Sequence, residues 1–211
     1  MKVWSDSFGD GGAIPERCAF GRHDPETHIA LSGNRNPHIA WSDVPASARS
    51  LVLVVHDPDV PSRPDDVNQE GKSVPADLPR VDFYHWLIVD LAVDASPIEE
   101  GELSDGVSAR GKEGSEVSRM LRRGVNDYTS WFAGDADMEG TYFGYDGPCP
   151  PWNDTIVHHY QFTLYAIDLM SAPVDGEFRG GELLEAIEGH IVGEASFMGT
   201  YTINPDAVDR G

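Results

Sequence analysis

A chain of 211 residues with 40% hydrophobic residues and five tryptophans is long enough to bury a substantial core. Its 36 acidic residues against 15 basic ones give a net charge of -21, a field that opposes nucleic acid and anionic membrane surfaces as partners. No apolar run reaches 18 residues and Met1–Asp6 lacks an apolar signal region, so a cytoplasmic protein without a transmembrane helix or secretory leader is expected.

Lysine supplies only three of the cations. That fits a surface adapted to high salt and also a GC-rich genome that favours arginine codons; the excess of acid favours the first. The two cysteines, Cys18 and Cys149, are too few for a disulfide framework and are expected to be reduced.

Residues 28–61 alternate turn signals (Gly33-Asn34, Asn36-Pro37, Val44-Pro45) with short apolar runs, the grammar of strands. Leu51–Val55 is continuously apolar, which predicts a strand buried on both faces, and it runs into a stiff proline loop, His56-Asp57-Pro58-Asp59-Val60-Pro61. A polar excursion over 62–82 follows. Phe83-Tyr84-His85-Trp86 then opens a second buried run, Leu87-Ile88-Val89. Another excursion, over 94–140, is expected to pack as an extended surface loop with short helical pieces. The run Gly144-Tyr145-Asp146-Gly147-Pro148-Cys149-Pro150-Pro151 forms a third stiff loop. Beyond it, residues 159–166 alternate, with Tyr160, Phe162, Leu164 and Ala166 on one face. Gly180-Gly181 precedes the best helix candidate, 182–188, which Gly189 ends. Phe197, Gly199, Tyr201 and Ile203 mark a weaker late strand. These elements predict a mostly β fold with a short helix near the C-terminus, in a single domain over residues 1–211.

Three strand ends carry ionisable residues. Asp57 and Asp59 fit two carboxylates held at a strand end, where Asp57 orients a histidine or binds a cation, but taken alone an Asx turn that caps backbone amides is the favoured reading. His85 suits donation to an anion, but taken alone a satisfied half-buried histidine is the favoured reading. His158 and His159 face opposite sides of a strand and cannot both ligate one metal; His158 shares a face with Tyr160. Cys149 is a candidate pocket residue, or a small buried side chain. The sequence from Asp135 to Asp146 has the glycine and spacing of a calcium loop. However, Glu139 and Asp146 are wrong at two ligand positions and the flanks do not read as paired helices, so no metal and no cofactor is expected. No zinc-protease, nucleophile-elbow or phosphate-loop motif occurs.

Taken in order, these features resemble a known family. They are Gly33-Asn34-x-Asn36-Pro37 with Trp41 and Val44-Pro45; Asp57-Pro58-Asp59-x-Pro61; His85-Trp86; Gly144-Tyr145-x-Gly147-Pro148-x-Pro150-Pro151; and His158-x-Tyr160-x-Phe162. The sequence is similar to the phosphatidylethanolamine-binding protein family, in its bacterial and archaeal Raf-kinase-inhibitor-like branch, from Phe8 to Ile203. The resemblance implies a β-sandwich-like fold with a shallow anion pocket. By position, Asp57, His85 and His158 match its aspartate and two histidines, Tyr160 an aromatic lining residue, and Pro148, Pro150 and Pro151 its wall. Trp152 and the two enlarged excursions depart from the pattern and are placed to narrow the mouth. A homodimer is implied by the same resemblance.

The function expected is a soluble binding protein for a small phosphate- or carboxylate-bearing ligand, with regulation of a protein target, the pocket serving as its switch, as a further reading. The alternative is a hydrolase of phosphate or acyl esters that uses the Asp and His residues in acid–base roles.

The charge alone makes one prediction. Screening at about 1 M salt shortens the Debye length to about 3 Å and relieves repulsion among the carboxylates. Melting temperature is therefore expected to rise from dilute buffer to molar KCl; a flat or falling trend would reject salt adaptation.

Overall fold

The structure, a computed structural model, describes residues 1–112, 114 and 121–207, so positions 113 and 115–120 of the second excursion lie outside the described residues. In chain order the strands are β1 (Lys2–Trp4), β2 (Gly12–Ala13), β3 (Gly21–Asp24), β4 (His28–Leu31), β5 (Ala40–Ser42), β6 (Ser50–Pro61), β7 (Arg80–Leu91), β8 (Arg122–Arg123), β9 (His158–Ile167) and β10 (Ile191–Tyr201). The described residues form two α-helices, α1 (Tyr128–Trp131) and α2 (Gly180–Ile187).

The long strands β6, β7, β9 and β10 form the middle of a six-stranded sheet with the order β2-β10-β9-β6-β7-β8. Every pairing in it is antiparallel except that of β2 with β10. The pairs β1–β5 and β3–β4 are separate two-stranded sheets. Successive side chains on a strand point to opposite faces, and both faces here are apolar. Leu51, Leu53, Val55, Trp86, Ile88, Phe162 and Leu164 pack on one face with Phe8, Ile14 and Tyr145. Val52, Val54, Leu87 and Val89 pack on the other with Phe178, Leu183 and Ile187. The continuous apolar runs are therefore buried on both sides, each such side chain contributing about 1.5–3 kcal/mol.

Helix α2 covers the second face. Leu183 and Ile187, four residues apart, are both buried and lie on one side of it. It begins two residues before the predicted start at Glu182. The late strand is longer than predicted, starting at Ile191, while Ile203 is buried just beyond its end.

Two expectations are corrected. Strand β6 does not stop before a proline loop; it continues through Asp57-Pro58-Asp59 to Pro61. Pro58, which lacks an N–H, is accommodated because the register with β7 breaks between Asp57 and Val60. The second excursion is also more than a polar surface loop: Leu121, Val125, Asn126 and Tyr128 are buried in it.

Gly124 tests the second core face. A Cβ there would come within 2.5 Å of the Phe178 ring and 2.9 Å of Leu87. Both neighbours are enclosed, so Gly124→Ala is expected to destabilise by about 1–3 kcal/mol through overpacking. Urea denaturation would measure it, and unchanged stability would show that this face can yield.

Candidate functional site

Strands β6, β7 and β9 deliver Asp57, His85 and His158 to one end of the sheet, where all three line a single cavity of about 480 Å³. The bulge in β6 sets the first of them. Asp57 Oδ1 accepts the backbone N–H of Asp59 at 2.7 Å, the Asx geometry, and Oδ2 accepts from His158 Nδ1 at 2.7 Å. Capping and histidine pairing thus coexist in one carboxylate. Two residues along, Asp59 takes the neighbouring histidine, accepting from His159 Nδ1 at 2.7 Å. Residues 57 and 59 would share a face of a regular strand; the broken register lets them serve histidines that face opposite ways.

His158 is fully enclosed, and its Nε2 donates to Asp154 Oδ2 at 3.1 Å. A ring nitrogen can donate to a carboxylate only if it carries a proton, so a histidine held between two carboxylates is an imidazolium. Asp154 in turn accepts two hydrogen bonds from Arg80, at 2.6 and 3.1 Å. The result is a buried line of alternating charge: Arg80, Asp154, His158, Asp57. Burial opposes charge on His158, but Asp57 and Asp154 overcome it and raise its pKa to about 9. Burial likewise opposes charge on Asp57 and Asp154, and His158 outweighs it, holding both carboxyls below their usual range.

His85 is a different case. Its Nδ1 donates to the backbone carbonyl of Asp146 at 2.8 Å. Burial lowers its pKa despite the Asp57 carboxylate nearby, so the ring is neutral with a bare lone pair on Nε2. Phe83, Tyr128 and Tyr160 surround it, with ring centroids 4.9, 5.6 and 5.2 Å away. The carbonyl that fixes this tautomer is itself fixed. The buried Asp146 carboxylate accepts from Asn34 and Lys112 at 2.7 Å and from Asn126 at 2.8 Å.

The same network involves the two ends of the calcium-loop spacing. Asp146 is turned inward, while Asp135 caps the N–H groups of Asp137 and Met138. Among the described residues no cluster of three or more His, Cys, Asp or Glu is placed to hold a metal.

Tyr160 completes the floor, its hydroxyl buried beside the Asp57 carboxylate. Burial and the nearby Asp57 carboxylate raise its pKa well above the ordinary range, so it keeps its proton. Cys149, Pro150 and Pro151 form one wall. The Cys149 thiol is pushed up to about 12 by burial. The first excursion supplies Arg63, Pro64 and Val67, and α1 supplies Trp131, exposed at the rim. Both excursions therefore shape the mouth.

Three expectations change. Pro148 does not line the cavity; it is buried behind the wall, where its carbonyl accepts the N–H groups of Phe20 and Gly21. Trp152 does not narrow the mouth. It stacks on His28 at 4.0 Å, lining a second hollow with His23 and Lys72. His158 offers the cavity no donor, because both ring N–H groups are committed to carboxylates. Sequence reasoning missed Asp154, Arg80 and Asp146. A carboxylate four residues before His158 was visible, but its partner Arg80 is 74 residues away in sequence.

A β-sheet closed over an ionisable, aromatic-walled cavity at one end defines a class of ligand-binding fold. The family profile described as phosphatidylethanolamine-binding protein matches residues 4–202, and the chain belongs to that family. A UPF0098 protein of Methanothermobacter thermautotrophicus is 31% identical over 201 residues, which cover 95% of this chain and 98% of the relative. The UPF0098 protein YbhB of Escherichia coli is 28% identical over 203 residues, covering 96% and 100%. Among solved structures, a putative phosphatidylethanolamine-binding protein homologue from Chlamydia trachomatis, 28% identical, superposes with a TM-score of 0.61 over 95% of both chains. Escherichia coli YbcL has the same fold, with a TM-score of 0.67 over 96% of this chain and 98% of its own at 23% identity. The similarity to archaeal and bacterial relatives places the chain in the bacterial and archaeal branch of the family. No helix among the described residues is long and apolar enough to cross a membrane.

The buried charge line sets a pH dependence. A histidine pKa raised in the folded state stabilises fully below about 6.5 and loses that contribution as pH rises through about 9. The depressed carboxyls act at the other end, losing theirs as pH falls through their lowered values. On the alkaline side the loss is of order 3 kcal/mol. Asp154→Asn is expected to flatten the decline between about pH 6.5 and 10 and to lower the NMR titration midpoint of the His158 ring. Parallel stability curves for the two proteins would contradict the imidazolium assignment.

Proposed function

We propose that the cavity binds a small ligand bearing a phosphate or carboxylate group, and that the protein acts as a binding module. The observation that carries this reading is the convergence of Asp57, His85 and Tyr160 on one cavity, where His85 commits Nδ1 to the Asp146 carbonyl and leaves Nε2 for a ligand. Buried polar groups are nearly always hydrogen-bonded, so a ring nitrogen left over at a cavity is a place for a ligand atom. The family is one of ligand-binding proteins, which supports the same conclusion.

In this reading the anionic head sits among Asp57, His85 and Tyr160. Any apolar body of the ligand lies against Pro64, Val67 and Trp131 at the mouth. The bound anion favours the charged form of His85, so binding takes up a proton or shares one with the ligand. His158 does not touch the anion in this scheme; it holds Asp57 in place. Hydrolysis through Cys149 is disfavoured, because a thiol titrating at about 12 supplies almost no thiolate near neutrality.

Charge-assisted hydrogen bonds contribute about 1.5–3 kcal/mol each. His85→Ala is therefore expected to weaken binding of a phosphate-type ligand by about one to two orders of magnitude in calorimetry. Unchanged affinity would remove His85 from the site.

A further inference from the structure

The first excursion is held at the cavity mouth with little help from the core. Ser62, Arg63, Pro64, Val67 and Asn68 line the cavity together with the wall. None of residues 62–73 is buried, and the first anchor after them is Val74. A segment without buried apolar side chains can open while the rest of the domain stays folded. What fixes this one is a buried amide, Asn153, on the loop that follows the wall. Its Oδ1 accepts the Asn68 N–H at 2.9 Å, and its Nδ2 donates to the carbonyls of Asp66, Lys72 and Gln69 at 2.8, 3.2 and 3.4 Å. The Trp152 N–H donates in turn to Asn68 Oδ1 at 3.0 Å. The backbone of Asn68 is left-handed, with φ 56°, a conformation that asparagine tolerates.

We propose that residues 62–73 form a strap that gates the cavity, and that Asn153 is the residue that positions it. With the strap seated, the strap, the wall and Trp131 bound the mouth and limit the size of the ligand body. With the strap displaced, Cys149 and the floor open to larger molecules. Gating of this kind acts on the body of the ligand and is independent of its head group.

Asn153 is a firm seat. Its neighbour Asp154 is locked between Arg80 and His158. Arg80 also donates to the Pro75 carbonyl at 3.0 Å, and the Asn153 carbonyl accepts the Val74 N–H at 3.0 Å. The wall and the far end of the strap therefore stay in place when residues 62–73 move. A second clasp joins Glu70 to His28 Nε2 at 2.6 Å, with His28 stacked on Trp152. Its two side chains are 80% and 37% exposed, and exposed pairs of this kind contribute little. The amide network decides, because its bonds close on one buried side chain and act together. When the strap lifts, water reaches the Asn153 amide and the freed carbonyls alike. Opening thus exchanges bonds for hydration and strands no polar group in the interior.

Cys149 is the reporter, because it lines the cavity while Cys18 is fully enclosed in the core. Alkylation of the full chain by iodoacetamide, read at each cysteine by mass spectrometry, is measured beside amide hydrogen exchange over residues 62–73. Asn153→Asp keeps the side-chain shape and sets an acceptor oxygen against the three carbonyls. It is expected to speed Cys149 alkylation at least about tenfold and to speed exchange in the strap, with Cys18 and the amides of β6, β7 and β9 unchanged. Glu70→Gln is expected to leave alkylation within about twofold of wild type; an equal gain there would move the positioning role from Asn153 to the ion pair. Faster strap exchange with no change at Cys149 would show that the strap does not gate the cavity. Unchanged strap exchange would remove Asn153 as the positioning residue. Equal acceleration at Cys18 would mean general destabilisation and overturn the gate. Should Asn153→Asp not fold, Asn68→Gly decides by the same readouts, since it deletes the strap's bond to Trp152 at a backbone angle that glycine adopts readily. No ligand enters the measurement, so the strap and the anion pocket stand or fall separately.

Discussion

The buried line of four alternating charges, Arg80–Asp154–His158–Asp57, is the constraint on which the rest of the site depends. Its members come from the start of β7, the loop before β9, the first residue of β9 and the bulge in β6. It therefore ties three adjacent strands together at the end where the sheet opens. Such a line is a poor source of net stability, because desolvating four charges offsets most of their attraction. Its consequence is definition: no member can move without leaving an opposite charge uncompensated in the interior. Asp57 is held at one angle and in one protonation state, and the cavity inherits both.

A second hub does the same for His85. The carboxylate of Asp146 gathers Asn34, Lys112 and Asn126, which stand 112, 34 and 20 residues away in sequence, and the carbonyl of the same residue orients the imidazole. One buried residue thus connects the early irregular segment, the second excursion and the proline-rich wall. The two histidines, which look equivalent in sequence, end up with opposite assignments. His158 is charged and closed off between carboxylates. His85 is neutral with one nitrogen free. The difference comes from what each ring meets: two carboxylates in one case, a carbonyl and aromatic rings in the other.

The prolines act through geometry. Pro58 sits where β6 loses register with β7, which turns successive carboxylates to different partners. Pro150 and Pro151 present a stiff apolar wall, while Pro148 lies behind it and anchors the loop to the backbone at Phe20 and Gly21. A wall made this way needs no ordering when a ligand arrives, which lowers the entropic cost of binding.

Much of this protein was legible along the chain. Period-two alternation and unbroken apolar runs determined the central strands, because burial on one or both faces leaves a direct mark on neighbouring residues. Glycines and a stretch of good helix formers determined α2. Asp57, His85, His158 and Tyr160 stood out because each sits at a strand end beside a run that must be buried. What the tertiary structure decided was partnership. That Asp154 and Arg80 complete the charge line, that Asp146 faces inward to orient His85, that Pro148 is withdrawn and Trp152 stacks on His28, all depend on contacts between segments far apart in sequence. Sequence spacing carries no record of such contacts. A residue's type states which bonds it can make, and only its folded neighbours settle which ones it does make, and so which side of its pKa it occupies.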